Sequence, residues 1–427
     1  MEKTTFRARI RPWMSLIAAF LILASSIGLG TNGLSLFYVP VTESLGFTQT
    51  AFSVYYAITM YVTALLCPVV GKIFTKRENL MKPMMAGAAA LTALCFFLYS
   101  RCSSLPAFYA VSTVRGVCNA VLSNVAATMV VNHWFFEKRG LAVSICLMGT
   151  SAGGLLFTQL SRLFLEHFTW RQSYWMLGLV GLALNVIMLL LIEPSPERIG
   201  LHPYGFKPES KEDTLEREGV TFAEAVKTPS FWMILVSIFI ASITVQGTQQ
   251  AVTTALQYDH SHSQAIVTTV VSIFMILLCV GKIIIGSIYD KKGLRSGIIY
   301  SCTLLVLSYA CLLLAKDVMF AYIFAVIFGL GNMMSSVTAT TATTATFGLK
   351  EYGVIFGFVS MCSSFGNATG PMISSKIYDI TGQFTLVWVV YAGFNIIATT
   401  LIILANYLMM KKEKKILFCR KEMVKAE

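Results

Sequence analysis

The sequence predicts an all-α integral membrane protein with twelve transmembrane helices in two pseudo-symmetric six-helix bundles. Three observations lead there. The 427 residues are 56% hydrophobic and 13% charged, with mean hydropathy +0.70. Apolar runs of about 20 residues, the length that crosses a bilayer, recur twelve times. A junction after the second run also reappears 215 positions later, after the eighth. So little polar residue cannot cover the surface of soluble domains, and so apolar a chain is not a disordered one.

The runs fall near Trp13–Tyr38, Thr50–Phe74, Lys82–Ser100, Leu105–His133, Leu141–Phe164, Ser173–Ile192, Phe231–Gln257, Gln264–Tyr289, Ser296–Ala315, Met319–Phe347, Tyr352–Ile377 and Phe384–Met410. The first follows Arg7, Arg9 and Arg11 and is too long for a signal-peptide core, so it is read as a retained span. Between the sixth and seventh runs lies one long polar interruption with Pro194, Pro196, Pro203, Pro208 and the mixed-charge run Lys211–Glu218. The expected organisation is a bundle over 1–192, a linker over 193–229, a second bundle over 230–410 and a basic tail over 411–427.

Basic residues sort by side. With twelve spans, the face holding the N-terminus collects 25 of the 33 Lys and Arg and the other face five, which leaves Lys72, Arg115 and Lys282 inside spans. The positive-inside rule then places both termini in the cytoplasm. The net charge of +12 is thereby explained by topology rather than by nucleic-acid binding. Lys411, Lys412, Lys414 and Lys415 add attraction to anionic lipid. The ten cysteines form no CxxC pair and read as small apolar core residues.

The internal repeat shows in two places. Gly71-Lys-Ile73-Phe74-Thr75-Lys76-Arg77 matches Gly286-Ser-Ile288-Tyr289-Asp290-Lys291-Lys292 at an offset of 215, while Gly140, Met148 and Gly153 match Gly353, Met361 and Gly366 at 213. A period of half the chain means two homologous bundles, with a substrate site expected between them at mid-membrane.

The stretch Gly286-Ser-Ile-Tyr-Asp290-Lys291-Lys292-Gly293-Leu-Arg295 resembles the GxLxDRxGRR loop signature of the major facilitator superfamily. Its glycines let helices approach, and Asp290 is expected to pair with basic groups of a neighbouring helix as a charge latch. In the first-half copy Thr75 replaces the acidic residue and Glu78 the second glycine, so the stronger latch is expected in the second half. The runs Trp134-Phe-Phe-Glu-Lys-Arg139-Gly140-Leu-Ala142, Trp170-Arg171, Pro196-Glu-Arg-Ile-Gly200-Leu-His-Pro203-Tyr-Gly205, and Phe347-Gly348 with Tyr352-Gly353 resemble the oxalate:formate antiporter and monocarboxylate porter branch.

Of the embedded cations, Lys72 sits one turn from a span end and is expected to snorkel. Arg115 and Lys282 are deep. An insertion cost of about 2.5–3.5 kcal/mol for a cation at a helix centre means that each needs a wet cavity or a partner. The resemblance implies that a basic residue four positions before the signature glycine binds the substrate carboxylate, and Lys282 holds that position. Lysine offers a point charge where the family's usual arginine offers a fork. The matching stretch Phe356–Ser364 lacks the second lysine of dicarboxylate carriers, which favours a monocarboxylate. Arg115 reads equally as a functional or a packing residue.

Polar residues expected to complete a cavity are Tyr56, Asn119, Gln246 and Asn332, with Phe52, Thr59 and Thr63 on the face of Tyr56, and Asn124, Gln249 and Gln250 beside the others. Gly149–Gly154 reads as a tight helix crossing, and Ser335–Thr346 as the lining of a cytoplasmic pathway. His260-Ser-His262 reads as solvated loop. No cofactor or metal is expected, and no nucleophile–base set or phosphate loop suggests an enzyme. The reading is a carrier of a small organic anion in the cell membrane, working as a monomer by alternating access. Any coupled protons would travel on the substrate or through Glu43, Glu351 or Asp379. The alternatives are an efflux carrier for amphipathic drugs, which would want an embedded acid, and a non-transporting membrane sensor with the same fold.

Overall fold

A computed structural model describes residues 2–31, 33–205, 219–259 and 261–426. The run Lys211–Glu218 and His260 lie outside the described residues. Nine helices among those described are long and apolar enough to cross a membrane, and one of them, Ala265–Leu313, holds two crossings. The eleventh span, Tyr352–Thr381, and a tenth built from two shorter helices complete twelve.

Most spans follow their apolar runs. The second is Gln49–Lys76, the third Met81–Arg101, the fifth Arg139–His167, the sixth Trp170–Leu191 and the seventh Pro229–Thr254. The eighth and ninth form one helical stretch, Gln264–Leu313, divided where Gly293 takes φ 78°. A side chain is strained in that left-handed conformation, so the signature glycine is needed there. The twelfth helix runs Thr385–Ala426, so helix continues past the predicted end at Met410 and through the tail.

Three spans are broken, which hydropathy does not reveal. The first runs Glu2–Leu23 and passes through a π-helical turn, Ala24–Gly28. The fourth is split into Leu105–Val121 and Asn124–Trp134, and the tenth into Val318–Gly331 and Val337–Phe347. Backbone groups freed inside a membrane must find partners in the protein. Ser26 Oγ accordingly donates to Leu122 O at 2.7 Å, satisfying the carbonyl exposed at the fourth-span break. The fourth and tenth breaks are repeat-related: Gly116, Asn119 and Ser123 match Gly329, Asn332 and Ser336 at the 213 offset.

The two bundles meet through close glycine crossings near the face where the chain begins and ends, here the terminal face. A Cβ at Gly140 of the fifth span would lie 2.7 Å from Asp290 Oδ1 and 2.9 Å from Gly286 O of the eighth. In the second span a Cβ on Gly71 would overlap Gly353 O of the eleventh, and one on Gly357 would come within 2.6 Å of Pro68. Both crossings join repeat-related glycines, so the two copies of the motif grip one another's partners across the interface. Within the first bundle, Gly149 and Gly153 press on the first span at Phe20 and Ala24, which is the tight crossing expected of that cluster.

The linker is clipped to the first bundle. Tyr204 exchanges backbone hydrogen bonds with Trp134 and Phe136 at 2.8 and 3.0 Å, and Trp134 Nε1 donates to Glu193 O at 2.7 Å. Gly205 at φ 80° packs where any Cβ would strike Glu137.

The glycine crossings seal the terminal face. Gly71→Val and Gly140→Val are expected to open it, raising hydrogen–deuterium exchange in the loops at 76–81 and 134–139. Gly87→Val, where an added Cβ meets nothing within 4 Å, is expected to leave exchange unchanged.

Candidate functional site

Lys282 lies in the eighth span and is buried. Its Nζ donates to Leu147 O at 2.9 Å, Thr150 Oγ1 at 2.8 Å and Ser151 Oγ at 2.9 Å, all in the fifth span. An ammonium has three protons, and each finds an oxygen of the opposite bundle. None of the three acceptors is a carboxylate, so the positive charge is solvated but not neutralised.

Arg115, in the fourth span, is equally buried. Its guanidinium stands 5.3 Å from the centre of the Phe96 ring, and one nitrogen presses on Gly30 just beyond the π-helical turn of the first span. The two cations flank that turn: Ser151 holds Lys282, Gly153 two residues on packs against Ala24 and Gly28, and Gly30 meets Arg115.

Asp290 departs from the expected pairing with a basic side chain. Its carboxylate accepts from the backbone N–H of Gly140 at 2.7 Å and of Leu141 at 2.9 Å. These are unpaired donors at the start of the fifth-span helix, where the helix dipole also favours negative charge. The latch is therefore a charged helix cap. In the first-half copy the Thr75 hydroxyl turns back to Gly71 O at 2.8 Å. Lys291 and Arg295 are exposed on either side of the Gly293 kink.

The family model described as Major Facilitator Superfamily matches residues 81–371 and 251–417. The chain belongs to this superfamily. It is 23% identical over 373 residues to an oxalate:formate antiporter of Oxalobacter formigenes, covering 85% of each chain. It is 22% identical over 444 residues to human monocarboxylate transporter 12, covering 96% of this chain and 83% of that one. An uncharacterised transporter of Saccharomyces cerevisiae is 22% identical over 82% of this chain, and the match spans 52% of that protein's length. The crystal structure of the human organic anion transporter MFSD10 shares the fold, with TM-score 0.70 at 11% identity, covering 92% of this chain and 99% of that one. The protein is a multi-pass membrane transporter of this superfamily.

For this superfamily member the remaining predicted positions divide into packing and candidate lining. Thr59 Oγ1 donates to Ser112 O at 3.3 Å, Thr63 Oγ1 to Gly116 O at 3.0 Å, and Phe52 is buried against Phe108; these hold the second span to the fourth rather than lining a cavity. Asn119 Nδ2 donates to Thr63 Oγ1 at 3.3 Å, while buried Asn332 Oδ1 has no hydrogen-bond partner among the described residues. Tyr56 and Gln246 are half-buried. Gln249 is half-buried, Gln250 is exposed, and Lys72 is exposed as a snorkelling residue would be. The threonines of 335–346 are mostly buried, and four of them, Thr340, Thr341, Thr343 and Thr344, bond back to carbonyls four residues earlier, so they line no open path in this state. Glu351 Oε2 accepts from Phe222 N at 2.7 Å and anchors the linker, whereas Glu43 and Asp379 are exposed. His262 Nε2 lies 2.6 Å from Ala315 O, so that loop is held to the ninth span rather than left to solvent.

Two features escaped the sequence. A terminal-face cavity of about 150 Å³ between the bundles is lined by Thr75, Glu78, Asn132, His133, Lys350 and Tyr352, among others. Glu78 Oε1 and His133 Nδ1 are 3.5 Å apart there, and His133 holds the Glu78 carboxyl below its usual range. Tyr55 and Tyr174, fully buried around Arg115, also went unnoticed, because aromatic residues in spans read as packing.

Hydrogen bonds to a charged group each contribute about 1.5–3 kcal/mol. Asp290→Ala is therefore expected to raise the open-to-closed ratio of the terminal face at least about tenfold, read as distances between spin labels on the 76–81 and 350 loops. Thr75→Ala is expected to change it little.

Proposed function

We propose that this protein carries a small organic anion, a monocarboxylate, across the cell membrane by alternating access, with both termini cytoplasmic and 1–192 and 230–410 as the two moving bodies. The observation that supports it most is Lys282. A buried ammonium between the bundles, held by neutral oxygens, is a cation awaiting an anion. A carboxylate arriving from the outside would replace Leu147 O, Thr150 Oγ1 and Ser151 Oγ as its partner, and the charge pair would lower the cost of bringing both ions out of water. Tyr56, Gln246, Asn119 and Asn332 are the polar residues proposed to complete such a cavity, Asn119 and Asn332 lying next to the breaks of the fourth and tenth spans. The relatives named for oxalate, formate and monocarboxylate transport are consistent with this substrate class.

The same bonds suggest why exchange would outrun net transport. In the empty carrier Lys282 ties the eighth span to the fifth, and rocking the bundles breaks bonds that nothing replaces. With an anion bound, the lysine is satisfied before the bundles move. The linker, clipped to the first bundle at Tyr204 and anchored at Glu351, spans the two without fixing them at mid-membrane.

Lys282→Ala is expected to reduce uptake of every transported carboxylate at least about thirtyfold, the equivalent of one charged hydrogen bond near 2 kcal/mol, with membrane insertion intact. Lys282→Arg is expected to retain part of it. Uptake in proteoliposomes checks both, and full uptake by Lys282→Ala would reject the anion site. In the same assay, Thr150→Val with Ser151→Ala is expected to raise net efflux relative to exchange.

A further inference from the structure

The cavity at the terminal face has no part in the transport reading, and its polar lining is unbalanced. Its walls come from both bundles: Glu78, Asn132 and His133 from the first, Lys350 and Tyr352 from the second. Asn132 is 3% exposed, and neither end of its amide has a hydrogen-bond partner of ordinary geometry among the described residues. The hydroxyls around the cavity are already committed as donors. Tyr352, within reach of the amide, gives its proton to Thr128 Oγ1 at 3.0 Å, Thr128 gives its own to Asn124 O at 2.7 Å, and Thr75 gives its own to Gly71 O at 2.8 Å. Tyr352 can therefore accept from Asn132 Nδ2, while Asn132 Oδ1 is left without a donor.

Glu78 adds acceptors on the same wall. Its carboxyl is held below its usual range, first by His133, so it is ionised and offers about four lone pairs. His133 Nδ1 divides one proton between Glu78 Oε1 at 3.5 Å and Pro194 O at 3.3 Å, and Ser195 can supply one more. On the second-bundle wall Lys350 is exposed, and its ammonium has no ion-pair partner among the described residues.

These groups select by chemistry. Unmet acceptors on one wall call for a cationic donor, and the unpaired ammonium on the other calls for an anion. A bare anion would face Glu78 and a bare cation Lys350, whereas a molecule with an ammonium and a carboxylate a few bonds apart meets both. At about 150 Å³ the cavity has room for about six heavy atoms, the size of a benzene ring.

We propose that this cavity binds a small zwitterion, an amino acid of glycine or alanine size, with its ammonium on Asn132 Oδ1 and Glu78 and its carboxylate on Lys350 and Asn132 Nδ2. Because the walls belong to different bundles, the occupant binds only while the terminal face is shut. By linkage it holds that face shut and slows the alternation. The site is separate from Lys282 and does not depend on what Lys282 binds.

Thermal unfolding of the purified full-length protein at constant ionic strength tests this. Free glycine or L-alanine is compared with acetate and methylammonium, which carry one end each, and with L-leucine, which is too large. The expected result is a saturable rise in Tm of about 2–4 °C with glycine or alanine at about a hundred times the half-saturating concentration, kept in Lys282→Ala and absent with the other three. The same ligand is expected to lower hydrogen–deuterium exchange in the loop at 76–81. Asn132→Leu is expected to raise the half-saturating concentration about tenfold, and Lys350→Ala, at an exposed position, about threefold. No saturable rise means a cavity holding water only and overturns the proposal. So does a rise matched by acetate, methylammonium or leucine, one lost in Lys282→Ala, one unchanged in Asn132→Leu or in Lys350→Ala, or one with exchange in that loop unaltered. If Asn132→Leu does not fold, Lys350→Ala decides. Because the rise is read on Lys282→Ala as well, the result is independent of whether Lys282 is needed for uptake.

Discussion

An ammonium buried in a bilayer must be solvated by whatever the protein brings to it, and in this transporter the oxygens that solvate Lys282 belong to the other bundle. That one constraint joins electrostatics to conformation. The charge holds the eighth span against the fifth for as long as no better partner arrives. Asp290, two helical turns further toward the terminal face, satisfies the opposite need: backbone donors at the start of the fifth span, with no partner inside their own helix, find a carboxylate across the interface. The fifth span is thus held at its end by an anion and near its middle by a cation, both carried by the eighth.

The internal repeat explains why the seal has two parts. Gly71 with Gly353 and Gly140 with Gly286 are the same pairing generated twice, and in each the lack of a side chain brings backbones into contact. Symmetry ends at the charges. Thr75 stands in place of Asp290, and no cation in the second span corresponds to Lys282, so the fifth–eighth side carries polar bonds where the second–eleventh side carries packing. An opening motion has to break the first and only part the second.

The number of spans and the two-bundle plan were legible in the sequence, because hydropathy, basic-residue bias and the Gly71/Gly286 repeat all report on segments. The burial of Lys282 was legible too. Its partners were not: Leu147, Thr150 and Ser151 lie more than 130 positions away and look like ordinary residues of an apolar run. Asp290 was expected to find a basic side chain, yet a helix start offered two donors already fixed in place. The breaks at 122–123 and 332–336 sit inside apolar runs and do not lower mean hydropathy. The signal was present in the repeated Gly116, Asn119, Ser123 and Gly329, Asn332, Ser336, which match at the offset already found for the other glycines. The cluster around Arg115 was invisible for another reason. Whether a tyrosine hydroxyl has a partner depends on the second, third, fourth and sixth spans together, and no spacing along one helix encodes it.

The most direct test of the central claim is a structure of the protein with a transported monocarboxylate bound. Lys282 Nζ is predicted to lie within about 3 Å of the carboxylate, with at least two of its bonds to Leu147, Thr150 and Ser151 lengthened beyond about 3.5 Å. A bound anion that leaves all three bonds intact and makes no contact with Lys282 would contradict the account.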